Sequence, residues 1–173
     1  MNLKEFIRDV PDFPKPGILF HDVTTLFKNP VAFNHAIESL FEIFQSENID
    51  YVAGIEARGF IVGSILAYKL KCGFIPVRKP GKLPYTTISE KYSLEYGTDK
   101  VEMHLDAIEA GKKALVVDDL VATGGTIMAA IRLVEKLGAS VAGVAAIIDM
   151  PDLGGRKMLE KYNYHYLIEY SGH

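Results

Sequence analysis

Cysteine occurs once in this chain of 173 residues, at Cys72, which excludes any intrachain disulfide and fits a reducing compartment. Long apolar runs are missing too, so no stretch is long enough to span a bilayer as a helix. Residues 1–11 break their apolar positions with charge, unlike a secretory leader, and the expected location is cytoplasmic. Positive charge is not in excess. The formal net charge is −3, which argues against the basic footprint of a nucleic-acid binder. The histidines, His21, His35, His104, His165 and His173, are scattered without metal-ligand spacing. No Ser-His-Asp or Cys-His set can be argued from their order, and no metal site made of protein ligands is expected.

What is present suits one soluble globular domain over residues 1–173: 49% of residues are hydrophobic and 24% are charged. Leu3, Phe6, Ile7 and Val10 have helical spacing, so a helix is expected over residues 3–10. Pro11, Pro14, Pro16 and Gly17 then force an irregular segment, followed by the apolar patch Ile18, Leu19 and Phe20. Asn29 and Pro30 read as cap and first position of a helix running to about residue 46. Strands are expected at residues 51–55, 74–77, 114–117, 141–148 and 164–168, and helices at 61–70, 126–137 and 156–162. Tyr92, Leu94 and Tyr96 alternate, as do Val101, Met103 and Leu105, with Gly97 between them. That pattern predicts a hairpin projecting from the domain. Strands alternating with helices imply an α/β fold, a mainly parallel sheet flanked by helices. Ligands of such folds bind beyond the carboxyl ends of the strands.

Three loops leave those ends. Residues 114–126 run from an apolar strand through Asp118 and Asp119 into Ala122, Thr123, Gly124, Gly125 and Thr126, and then into a helix. The first turn of a helix has unpaired N–H groups and a dipole that favours an anion. Glycines leave room for a phosphate to reach them. Two carboxylates are poor phosphate ligands but good partners for sugar hydroxyls. The loop therefore suits a phosphorylated sugar. A P-loop is excluded, because Thr126 and Ile127 follow Gly125 where that motif has lysine and then a hydroxyl residue. The second loop carries Arg58 beside Gly59, a donor fork for an anion such as pyrophosphate. The ordinary alternative is an Arg58–Glu56 surface pair. The third gathers Arg78, Lys79 and Lys82 between prolines and reads either as a basic lid or as a solvated hairpin edge.

These residues together resemble the phosphoribosyl pyrophosphate signature of the type I phosphoribosyltransferases. Three further segments resemble the branch of that family that acts on adenine. They are residues 11–22, residues 54–60, and residues 78–84 together with 92–97. The resemblance runs from about residue 6 to residue 148. It implies the family fold, with a small N-terminal hood over about residues 1–30 and a hairpin lid over about residues 79–105. It implies transfer of a 5-phosphoribosyl group from phosphoribosyl pyrophosphate to adenine with Mg²⁺, held mainly by substrate and water, and a homodimer in which a basic lid residue serves the neighbouring site. By position, Ala122, Thr123, Gly124, Gly125 and Thr126 would hold the 5′-phosphate, and Asp118 and Asp119 would face the ribose. Arg58 and Ala57 would meet pyrophosphate, helped by Arg78, Lys79 and Lys82. Leu19 and His21 would line the adenine pocket, and Glu95 and Tyr96 would close over it. The family often has arginine where His21 stands. Two alternatives remain: a transferase for hypoxanthine, guanine or xanthine, and a regulator that keeps the sugar-phosphate site without catalysis.

Overall fold

The computed structural model describes residues 1–94 and 97–172. The chain opens with a single 3-10 turn, Leu3–Phe6, and then an antiparallel ribbon of β1 (Arg8–Pro11) and β2 (Leu19–Asp22). This corrects the helix expected over residues 3–10. Arg8 stands opposite Asp22 and its Nη2 lies 2.6 Å from the Asp22 carboxylate, a cross-strand pair that local spacing does not reveal. Next comes α1 (Thr24–Lys28), a short helix not expected from the sequence, and then α2 (Pro30–Phe44). The Asn29 side chain caps α2 by accepting from the Val31 and Ala32 N–H groups at 3.1 and 3.0 Å.

The remaining elements alternate. They are β3 (Tyr51–Ile55), α3 (Arg58–Leu70), β4 (Gly73–Val77), the hairpin of β5 (Thr87–Ser93) and β6 (Thr98–His104), β7 (Lys113–Val117), β8 (Leu120–Val121), α4 (Gly125–Lys136), β9 (Ser140–Asp149), α5 (Gly155–Met158) and β10 (Tyr164–Glu169). The central sheet has the order β10-β9-β7-β3-β4, with β8 added to the end of β9, and every pairing in it is parallel. The helix expected over residues 156–162 is shorter than that. Leu159 is buried and accepts from the Tyr162 N–H, so the chain turns early to enter β10.

Successive strand residues face opposite layers, as the pleat requires. Val52, Leu115, Ala145 and Ile147 pack with α2 and α3, while Ala53, Val116, Val144 and Ala146 pack with α4. The β5–β6 hairpin does not project from the domain. Tyr92, Val101 and Met103 are buried in the α4 layer, so the apolar face of the hairpin is covered. Among the described residues no helix is long and apolar enough to cross a membrane.

Candidate active site

Parallel pairing puts three loops on one edge. Gly54 is in register with Val117, and Ile55 with Val77, so the segments after β3, β4 and β7 leave the sheet side by side. After β7, Asp118 and Asp119 form a tight acidic turn in which the Asp118 Oδ1 accepts from the Asp119 N–H at 2.8 Å. Asp119 is buried and pairs through Oδ2 with the Arg58 Nε. Burial, and then the Asp119 charge, push the Asp118 carboxyl well above the usual carboxylate range. Asp119 is thus the carboxylate that meets Arg58, while Asp118 is turned to its own loop backbone.

The loop then reaches α4. Gly124 stands before that helix at φ +83°, a left-handed conformation that a side chain would strain, and it offers no side-chain cap. The first intrahelical bond is from the Met128 N–H to the Gly124 carbonyl. The N–H groups of Gly125, Thr126 and Ile127 therefore open onto a concavity of about 170 Å³ lined by Asp118 and residues 120–127. The hairpin borders the same loop: a Cβ on Gly125 would lie 3.2 Å from the Tyr92 ring and 3.3 Å from the Ser93 carbonyl.

Arg58 opens α3, and its guanidinium lies 5.8 Å from the centre of the Phe20 ring on β2. That contact brings the N-terminal ribbon against the acidic turn. Gly59 is needed for a close backbone approach. It admits the neighbouring strand end, since a Cβ there would sit 2.8 Å from the Val117 carbonyl oxygen and 3.2 Å from the Asp118 Cα. Glu56 and Ala57, joined by a cis peptide, precede Arg58. Glu56 pairs not with Arg58 but with the third loop. Its Oε1 accepts from the Lys79 N–H at 2.6 Å and the Arg78 Nε at 3.3 Å, and its Oε2 lies 3.6 Å from the Lys82 Nζ. Burial opposes its charge, but the Lys79 N–H and the Arg78 guanidinium outweigh burial and hold the carboxyl below its ordinary range.

Not every expected residue converges on the turn. The Lys79 ammonium binds Asp99 and the Tyr92 hydroxyl on the hairpin. The His21 ring is buried, 2.7 Å from the Asp9 carboxylate and stacked at 3.7 Å on Tyr170, while Leu19 beside it is exposed. Glu95 and Tyr96 lie outside the described residues. Phe20 was missed by sequence reasoning, although it alternates with Leu19 and His21 and so faces the other side of β2. Glu56 was weighed only as a partner of Arg58.

A model of the phosphoribosyl transferase domain matches residues 22–169. An adenine phosphoribosyltransferase of Brachyspira hyodysenteriae is 58% identical over 170 residues, covering 98% of this chain and all of that protein. The crystal structure of adenine phosphoribosyltransferase from Thermoanaerobacter pseudethanolicus superimposes with a TM-score of 0.94 at 49% identity, covering 97% of this chain and 98% of that one. That of the Saccharomyces cerevisiae enzyme, complexed with adenine and an imino-altritol bisphosphate, gives 0.88 at 41% identity over 95% of this chain and 96% of that one.

Proposed function

Because this chain belongs to the phosphoribosyl transferase family, and within it to the adenine phosphoribosyltransferases, we infer that it transfers the 5-phosphoribosyl group of phosphoribosyl pyrophosphate to adenine, giving AMP and pyrophosphate. The observation that carries this reading is the acidic turn and open helix start at the same sheet edge as Arg58, in a chain similar over almost its whole length to enzymes named for adenine. The oxopurine alternatives and the non-catalytic regulator have no such support.

The residues divide the substrate among them. The N–H groups at the start of α4, with the Thr123 and Thr126 hydroxyls, take the 5′-phosphate. Asp118 and Asp119 face the ribose hydroxyls. Arg58, with the Ala57 backbone, takes the pyrophosphate, and Arg78, Lys79 and Lys82 add charge beside it. Leu19 and His21 line the base pocket through their backbone groups. Histidine in place of the family arginine keeps its N–H and C=O there, and its ring is already engaged by Asp9 and Tyr170.

Breaking the bond to pyrophosphate leaves positive charge on the anomeric carbon and ring oxygen. Asp118 and Asp119 lie where negative charge opposes that positive charge as it forms. No protein nucleophile is required. Glu95 and Tyr96 close over the reacting atoms and keep water from the cation, and Glu95 accepts the proton lost from the adenine imidazole ring. Asp118 and Asp119 are hard oxygen donors that fit Mg²⁺. Among the described residues no group of three or more His, Cys, Asp or Glu side chains stands ready to cage a metal. The fit is therefore to an ion whose remaining ligands are substrate oxygens and water. When bound, Mg²⁺ offsets charge on the pyrophosphate oxygens. The working form is a cytoplasmic homodimer, and a basic residue of the Arg78, Lys79 and Lys82 loop serves the neighbouring site.

The test is a base panel. With Mg²⁺ and phosphoribosyl pyrophosphate, the protein converts adenine to AMP far faster than it converts hypoxanthine, guanine or xanthine, as followed by chromatography. Equal or better turnover of guanine would sink the adenine assignment.

A further inference from the structure

The sugar-phosphate loop has a wall behind it made of bare backbone. The Gly155 N–H donates to the Ala122 carbonyl at 2.9 Å. A Cβ on Gly124 would lie 2.8 Å from the Gly155 Cα, and one on Gly155 would lie 2.5 Å from the Ala122 oxygen and 2.9 Å from the Gly124 nitrogen. No side chain separates the two strands of backbone, so any drift of Gly155 is passed directly to the loop. Gly155 opens α5, which has only four residues and is too short to hold itself in place.

The next residue supplies the anchor. Arg156 turns inward to the end of β9, where Asp149 is fully buried. Its Nε and Nη2 lie 2.8 and 2.5 Å from the Asp149 Oδ2, and the Nη2 lies 2.5 Å from the Glu169 Oε2 on β10. The guanidinium rests 4.7 Å from the centre of the Tyr166 ring. The other Asp149 oxygen accepts from the Tyr164 hydroxyl at 2.7 Å, and Tyr166 donates to Glu169 at 2.9 Å. Burial and the Asp149 charge raise the Tyr164 pKa, so this phenol remains a donor at working pH. Asp149 is itself in register with Val121 on β8, and the Met150 N–H donates to the Val121 carbonyl. The ion network and the loop are therefore adjacent through two backbone routes, β8 and Gly155.

We propose that Arg156 is a positioning residue for the 5′-phosphate: its clamp on Asp149 and Glu169 fixes Gly155 against Ala122 and Gly124, and so holds the N–H groups of the loop in place. The inference rests on the assignment of that loop to the 5′-phosphate. An ordinary structural ion pair makes a different prediction, because its loss lowers the folded fraction and affects every ligand alike.

The experiment measures KM for phosphoribosyl pyrophosphate, KM for adenine at saturating co-substrate, and Kd for AMP and for adenosine, alongside thermal unfolding. Arg156→Gln is expected to raise the phosphoribosyl pyrophosphate KM and the AMP Kd about tenfold while adenine KM and adenosine Kd stay within about twofold. Arg156→Lys keeps a charge for Asp149 and recovers part of the loss. Gly155→Ala leaves every ion pair intact but drives a methyl into the Ala122 carbonyl, and it reproduces the same selective loss even if Arg156→Gln does not fold. A uniform loss across all four ligands in step with the folded fraction, or an unchanged phosphoribosyl pyrophosphate KM in Gly155→Ala, overturns the proposal. If the unmodified protein prefers guanine, the adenine assignment fails, but the positioning role is still read from the phosphoribosyl pyrophosphate KM with that base.

Discussion

Gly59→Ala sets two physical effects against each other, and their magnitudes decide the outcome. Gly59 lies in the first turn of α3, where helix propensity favours alanine over glycine by up to ~1 kcal/mol. By that argument alone the variant is more stable. The site opposes it. The new Cβ would stand 2.8 Å from the Val117 carbonyl oxygen and 3.2 Å from both the Cα and the Oδ1 of Asp118, against an ordinary contact of at least 3.4 Å. Two of those atoms are backbone and the third is the carboxylate already bonded to the Asp119 N–H, so none yields like the end of a flexible side chain. Relief requires α3 and the end of β7 to separate by about 0.6 Å, and overpacking of this kind costs about 1–3 kcal/mol. The net expectation is a loss of ~0–2 kcal/mol in stability, read by urea unfolding. Activity suffers more, because the two elements that separate carry Arg58 and the acidic turn. A misplacement of ~1 Å at a reacting centre can cost about a hundredfold, so kcat/KM is expected to fall more than tenfold in a protein that remains folded at assay temperature. A variant that is more stable than the parent and fully active would refute the close-contact account of Gly59.

Glu56→Gln keeps an acceptor for the Lys79 N–H but loses the charge that holds Arg78 and Lys82, and it should raise the phosphoribosyl pyrophosphate KM about three- to tenfold with less effect on kcat. The Glu56 pKa is depressed in the fold, so its contribution to stability is present above the unfolded value and is lost as pH falls through the folded one. Urea unfolding from neutral to acid pH should show a shallower decline for Glu56→Gln, and superimposable profiles would remove Glu56 from the anchor. Glu95→Gln should slow the chemical step in single-turnover mixing, and an unchanged rate would exclude Glu95 as proton acceptor.

The parallel sheet was legible because each strand is a short apolar run closed by a turn residue, and the structure moves most of those boundaries by only a residue or so. α2 was legible from Asn29 and Pro30, whose cap is local chemistry. Residues 3–10 misled because Leu3, Phe6, Ile7 and Val10 have a helical period, whereas residues 8–11 take their structure from cross-strand partners 8 to 14 residues further along the chain. Pro11 pairs with Leu19 and Arg8 with Asp22, and no window along the chain contains that information. The same limit applies to the site. Residues 118–126 announce themselves because strand, acids, glycines and helix are contiguous. Phe20 beneath Arg58, and Gly155 behind Gly124, come from distant segments and are visible only once the chain is folded.

The cations at the site are all paired in the unliganded protein, and the way each is paired decides which can also hold an anion. Arg58 and Arg78 are built alike. Each gives its Nε to a carboxylate, Asp119 or Glu56, and each lies 5.8 Å from the centre of a phenylalanine ring, Phe20 or Phe60. A guanidinium has five N–H donors in a rigid fork, so a bond through Nε orients it while the Nη groups can still meet a phosphate. These two arginines can therefore meet the proposed pyrophosphate without giving up their carboxylates. Lys79 differs. Its compact ammonium is already bound to Asp99 and Tyr92, and turning it fully toward a ligand exchanges those partners. The Lys79 and Asp99 side chains are 40% and 36% exposed, and a pair so open to solvent is worth ~0–1 kcal/mol, so the exchange is inexpensive. Arginine thus supplies the fixed part of the proposed pyrophosphate site and lysine the part that moves, while the backbone pair between Arg78 and Glu102 keeps the loop on the hairpin.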